Sequence, residues 1–257
     1  MAGHVTGIFR HPVKGFTPER LETVTLAPGE GFPADRIYAV ENGPCGFDPS
    51  APAHVPKQKF TVLAHMPRVA SARTRFDDAT GTLHVSAEGI APLSADLGVP
   101  EGRVALEGWL TEFLGEDVRG ALKVLAAPGR YRFTDHPKGQ VSIINLATLR
   151  DLSRAMGAEL DPMRFRANLY VEGWPAWAEN DWVGERLALG GAEAEVFKPI
   201  VRCAATHVDP TTAVRDLDIN KALFDNYGHM HCGIYVQVTR PGKLGIGDMI
   251  PAPRAQA

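Results

Sequence analysis

Glycine occurs 26 times and proline 20 times among the 257 residues, distributed along the whole chain. Proline removes a backbone donor and blocks helix interiors, and glycine opens conformations that end regular structure. A chain punctuated this often is expected to form many short elements joined by turns, not a few long helices. Its length allows a substantial core, built as one large domain or as two smaller ones sharing an interface.

The residues between the breaks read mostly as strands. Apolar runs and alternation predict them over 5–9, 21–26, 37–40, 60–63, 68–76, 83–86, 122–126, 140–145, 186–189, 192–200, 234–238 and 244–250, with a hairpin turn at 77–81. Helical spacing predicts three helices. One covers 104–114, with Leu106, Leu110, Phe113 and Leu114 on one face; one covers 146–156, capped by Asn145 and closed by Gly157; the third covers 217–227. Regular short strands with a few packing helices suggest a curled sheet or barrel.

Composition narrows function. A net charge of -3 and a pI near 6.3 leave no basic footprint for a nucleic-acid polymer. The apolar runs are shorter than a membrane span, and the first residues lack a signal-peptide core, so a cytoplasmic protein without a membrane is expected. Cys45, Cys203 and Cys232 form no paired framework, in agreement with a reducing compartment. There is no Walker-type glycine loop, dinucleotide fingerprint or Gly-x-Ser-x-Gly elbow, and no flavin or nicotinamide site is evident.

Chemistry concentrates in two stretches. Val201-Arg202-Cys203-Ala204-Ala205-Thr206-His207-Val208-Asp209-Pro210 crowds a thiol, a guanidinium, a hydroxyl, an imidazole and a carboxylate together at the end of a strand. A cation beside the thiol can stabilise a thiolate, which makes Cys203 the first candidate. In Arg164-Phe165-Arg166-Ala167-Asn168, an extended backbone would send Arg164, Arg166 and Asn168 to one face. Such a face suits a phosphate or another oxyanion, and reads equally as a polar face paired with acidic neighbours. Other signals are weaker. Lys14, in a turn between Pro12 and Gly15, reads on its own as a solvated loop lysine, and Asp35-Arg36 as a surface pair. Cys45 reads as an incidental loop thiol. Trp174, Trp177 and Trp182 read as a core cap in preference to a base-stacking platform. His229, His231 and Cys232 have the ligand types for a transition metal but no zinc-motif spacing.

In order along the chain, His11-Pro12-Val13-Lys14-Gly15, Asp35-Arg36, the 164–168 segment, Glu179-Asn180-Asp181-Trp182, the stretch from Arg202 to Pro210, and Gly245-Ile246-Gly247-Asp248 resemble the MOSC domain proteins, named for the C-terminal domain of molybdenum cofactor sulfurase. The resemblance implies an α+β, β-barrel-rich fold with a few packing helices. A MOSC N-terminal β-barrel-like domain is expected over 1–100 and a MOSC domain over 101–257. It also implies that Cys203 is the thiolate ligand of molybdenum in a pterin cofactor. Lys14, Arg36, Ser142, Arg166 and Asn168 would hold the pterin and its phosphate, and Arg202 and Thr206 would orient the thiolate. Gly15 stands where amidoxime-reducing relatives commonly carry serine. Longer relatives append a ferredoxin-like domain with four cysteines, which this sequence lacks, so a separate electron-donor protein is expected.

Two functions compete at this point. One is a molybdenum cofactor enzyme reducing small N-hydroxylated compounds, with Asp209 relaying a proton, unless Asp209 merely forms an Asx turn before Pro210. The other is a sulfur carrier bearing a persulfide on Cys203 for metal-sulfur cofactor assembly.

Overall fold

The structure is a computed structural model, and it describes residues 2–136, 138 and 141–253. Its centre is an eight-stranded sheet in the order Arg186–Leu189, Ala192–Val201, His231–Arg240, Val141–Asn145, Leu169–Glu172, Ala2–Arg10, Met249–Pro251, with Glu19–Leu21 also pairing with Ala2–Arg10. The first strand of the chain therefore lies inside a sheet otherwise built mainly from its second half. One pair, Val141–Asn145 with Leu169–Glu172, is parallel, as the helical crossover between them requires. Around the sheet lie a meander of Arg73–Asp77, Thr82–Ala87 and Ile90–Asp96, and two pairs, Tyr38–Asn42 with Leu122–Ala126 and Thr23–Leu26 with Gly242–Gly245.

Three α-helices occur among the described residues: α1 (Pro100–Leu114), α2 (Leu146–Met156) and α3 (Ile219–Tyr227). The fold is thus α+β, as the sequence implied. α1 buries Leu106, Leu110 and Phe113 against Val13, Phe16, Tyr38, Phe76 and Leu83. Inward residues of the large sheet, including Val5, Ile143, Val171, Val196 and Ile234, form a second core closed by Trp174 and Trp182. α2 and α3 pack with Ile144 and Tyr170 in a third. Trp174 and Trp182 meet edge to face at 4.8 Å and are buried, so they cap the core and offer no open ring face. Among the described residues no helix is long and apolar enough to cross a membrane.

Local chemistry explains where expectation and structure part. α2 begins and ends as predicted, because Asn145 Oδ1 accepts from Ala147 N at 3.0 Å and Gly157 takes the left-handed conformation. The predicted strand over 68–76 starts late, since Pro67 opens a 3₁₀ turn over Pro67–Ser71. Over 60–63 only an isolated bridge from Phe60 to Glu41 forms. The closing segment breaks at Gly247, with φ +88°, into two strands. Ile90–Asp96 escaped prediction because Pro92 sits within it; the strand lies at the edge of its meander, where a missing donor is tolerated.

A buried polar joint connects the end of the first strand to the segment that enters the strand Tyr38–Asn42. Asp35 accepts from His11 N at 2.7 Å, lies 3.3 Å from His11 Nδ1 and pairs with the Arg36 guanidinium, while Arg36 N donates to His11 O at 2.7 Å. Burial, reinforced by the charges of Arg166 and Arg36, pushes the His11 imidazole down to about 3 despite Asp35. Below its ordinary value of 6.5 the unfolded chain therefore takes up a proton that the folded chain refuses. The stability contributed by neutral His11 is complete above pH 6.5 and is lost as pH falls toward 3, by at most about 1.4 kcal/mol per pH unit. Urea unfolding at about pH 7 and about pH 5 should show a steeper loss in the wild type than in His11→Gln. Parallel losses in the two proteins would contradict a neutral buried His11.

Candidate functional site

A cavity of about 230 Å³ lies where segments from both halves of the chain meet. Its lining carries seven lysine and arginine side chains, Lys14, Arg36, Lys57, Arg164, Arg166, Lys198 and Arg202, against one carboxylate, Asp135. Such an excess of fixed cations in a partly enclosed space is the electrostatic signature of an anion site. Cys203, Ser142, Thr206 and Tyr235 complete its polar wall.

Cys203 stands after the strand Ala192–Val201 and directly before a 3₁₀ turn, Ala204–His207. Thr206 fastens that turn, its N and Oγ1 each donating to Cys203 O at 3.0 Å. Arg202 is buried. Its Nε and Nη2 donate to Cys232 O at 2.8 and 2.6 Å, its Nη1 donates to Phe165 O at 2.9 Å, and its plane lies over the Phe165 ring at 5.3 Å. Gly233 makes room for it: with φ +77°, a side chain there would strike Ile143 O. Arg202 thus aims its donors at carbonyls, and Lys57 shares the cavity wall with Cys203. Burial alone would lower the Lys57 ammonium, but Asp135 and Cys203 outweigh it and hold it above the ordinary lysine value.

Lys14 is no solvated loop lysine. It is buried, donates to Phe133 O at 2.9 Å and pairs with Asp135. The Asp135 side chain is partly exposed, and Lys14, Lys57 and Arg36 hold its carboxyl well below the carboxylate range. Nor is Asp35-Arg36 a surface pair, since Asp35 is 2% exposed and Arg36 faces the cavity. Arg36 Nη2 also donates to Arg166 O at 3.2 Å.

The extended face expected over 164–168 does not form. Asp161 caps a 3₁₀ turn at Pro162–Phe165, accepting from Met163 N at 2.8 Å, and Arg166 follows in the left-handed region at φ +52°. The two arginines still line the cavity, but with different partners. Arg164 binds Asp209 at 2.9 Å and Asp216 at 2.7 Å, the acid-paired alternative. Among the described residues Arg166 has one protein acceptor, Phe16 O at 2.7 Å, and burial with the charge of Arg36 brings its guanidinium down to about 10. Asn168 is fully buried behind the wall. Its Oδ1 accepts from Ser142 N at 3.1 Å and Ser142 Oγ at 2.9 Å, and its Nδ2 donates to Phe9 O, so it positions Ser142. Asp209 lies outside the cavity lining. Its Oδ1 accepts from Thr211 N and Thr212 N at 2.8 Å, the Asx-turn geometry.

Lys57, Asp135, Lys198 and Tyr235 belong to the site without having been singled out in the sequence. Lys57 and Asp135 sit in polar loops, with no periodicity to mark them. At Gly15, φ is +93° and a side chain would lie 2.4 Å from Thr61 O, so the serine of related sequences has no room here. His229 and His231 stack at 5.1 Å beside Cys232, whose thiol burial pushes up to about 12. Among the described residues, no group of three or more histidine, cysteine or acidic side chains is arranged to hold a metal ion. A metal at Cys203 would therefore draw its remaining ligands from a cofactor or solvent, and the cation-rich wall fits an anionic organic cofactor of that kind.

The chain is similar to several known proteins. A relative from Bos taurus, mitochondrial amidoxime reducing component 2, is 30% identical over 124 residues, covering 43% of this chain and 36% of that protein. Its Homo sapiens counterpart is 30% identical over 122 residues, covering 42% and 35%. The match thus spans about a third of the length of these curated relatives. The crystal structure of the YuaD protein from Bacillus subtilis superimposes with a TM-score of 0.45 at 14% identity, covering 97% of this chain and 94% of that one. Residues 2–119 match the model of the MOSC N-terminal beta barrel domain and residues 130–251 that of the MOSC domain. The two matches together span nearly the whole chain, which belongs to the MOSC domain proteins.

Proposed function

We propose that the chain binds a molybdenum-pterin cofactor through Cys203 and reduces small N-hydroxylated compounds with electrons from a separate donor protein. The observation that carries this reading is a thiol set in the wall of a cavity lined by seven basic side chains and one carboxylate. Similarity to amidoxime reducing components supports the reaction class. When bound, the cofactor supplies the two-electron exchange that, with two protons, converts an N–OH group to N–H and water.

The chain's own residues bind and orient. Cys203 Sγ is the metal ligand, a soft thiolate suited to a sulfur-rich centre. Lys14, Arg36, Arg166 and Ser142 face the cavity and hold the pterin and its phosphate. Thr206 and Arg202 fix the turn and backbone that carry Cys203, and Asn168 fixes Ser142. Because the Asp209 carboxylate is engaged by its turn and by Arg164, the proton donor on the cavity wall is Lys57 Nζ, which Asp135 helps to keep charged.

Protein purified from a host that makes the cofactor should contain molybdenum and pterin at close to one per chain. Cys203→Ser should reduce N-hydroxylated substrates at least ~100-fold more slowly while its melting temperature stays near that of the wild type. Full activity in this variant would remove Cys203 from the metal. Arg166→Ala should lower cofactor content about tenfold, measured as pterin and molybdenum per chain after gel filtration. A wild-type protein that stays empty when offered cofactor, with an extra sulfur atom on Cys203 by mass spectrometry, would transfer the function to sulfur delivery.

A further inference from the structure

Lys198 lies on the same strand that leads to Cys203, and both line the cavity. It pairs across the sheet with Tyr235, another lining residue, at a β-bulge that interrupts the register between Val196 and Lys198. A bulge re-aims side chains and recurs beside functional sites. Each of the other six lysine and arginine side chains has an acceptor in the protein: Asp135 for Lys14 and Lys57, Asp35 for Arg36, Asp209 and Asp216 for Arg164, and backbone carbonyls for Arg166 and Arg202. Among the described residues the Lys198 side chain has neither a hydrogen bond nor an ion pair, although it is half-buried.

The groups around it do not supply one. His136, which lines the cavity, and His231, on the adjoining strand, are both imidazoles held below their ordinary value, first by burial and then by neighbouring cations that include Lys198. Lys138 lies over the Phe197 ring at 4.7 Å. The lining also includes apolar side chains, among them Val62, Leu63 and Ala205. A half-buried ammonium that no protein acceptor engages is available to pair with an anion entering the cavity.

Resting on the reductase reading above, we propose that Lys198 recognises a carboxylate or phosphate group on the substrate. The preferred N-hydroxylated compounds are then anions whose carbon body lies against the apolar wall. Lys198 is a specificity-determining residue, and the charge it reads lies apart from the N–OH group that reacts.

The test uses cofactor-loaded protein with a chemical or protein electron donor and two aryl amidoximes that differ in one group, benzamidoxime and 4-carboxybenzamidoxime. The wild type should favour the carboxylate about ten- to a hundredfold in kcat/KM, expressed mainly in KM. In Lys198→Met the ratio should fall close to one, and in Lys198→Arg most of it should return. Calorimetry with the unreactive pair benzamide and 4-carboxybenzamide gives a readout without turnover, in which the wild type should bind the carboxylate more tightly and Lys198→Met should not. Equal constants for the two members in the wild type, or a preference that survives Lys198→Met, would overturn the proposal. So would a loss of pterin and molybdenum from Lys198→Met, which would assign Lys198 to the cofactor. If neither amidoxime is reduced but the calorimetric preference holds and depends on Lys198, the reductase reading fails and anion recognition stands.

Discussion

The position of Cys203 depends on the buried guanidinium next to it. A cation out of water needs its donors satisfied, and Arg202 finds acceptors in Cys232 O and Phe165 O, which belong to two segments otherwise distant in the chain. Three pieces of backbone are tied together in this way: the end of one sheet strand, the start of its neighbour and the turn that precedes Arg166. Gly233 is required beside it because no side chain fits between Ile143 O and the guanidinium. With Arg202 held on the inner side, the chain turns at Ala204–His207 and leaves the adjacent thiol on the cavity wall.

Around that thiol, charge is arranged by depth. Asp35 is held ionised by neighbouring cations against the cost of burial, the more exposed Asp135 is held ionised by Lys14, Lys57 and Arg36, and the two in turn anchor Arg36 and Lys14. The acids are too few to neutralise the wall, so its field remains positive where a ligand would enter. In a site partly shielded from water such a field acts more strongly than it would on an open surface. That explains how a chain with a net charge of -3 can present a strongly basic interior.

What could be read in advance followed the range of the interactions. α2, with Asn145 and Gly157 at its ends, is specified by neighbours within a turn of one another, and the spacing alone locates it. Cys203 was conspicuous because its chemistry is packed into consecutive residues. The 164–168 segment misled because its alternation fits a strand, whereas Pro162 and the Asp161 cap impose a tight turn. Lys14 taken alone reads as a surface lysine, since the groups that bury it, Phe133 O and Asp135, lie 119 and 121 residues away. Lys57, Asp135 and Lys198 share that difficulty: their meaning arises from distant partners, or from the lack of one, and neither leaves a mark in local sequence.

The interleaving of the two halves reaches beyond geometry. The opening strand Ala2–Arg10 pairs with Leu169–Glu172 and Met249–Pro251, and the cavity takes Lys14, Arg36 and Lys57 from one matched segment and Asp135, Arg166 and Cys203 from the other. Two domains can be recognised by family, yet neither encloses a ligand by itself. Exchange of one segment for that of a distant relative would bring together walls whose charges were never fitted to each other. A substitution on one side of the cavity accordingly changes the charge that the other side faces.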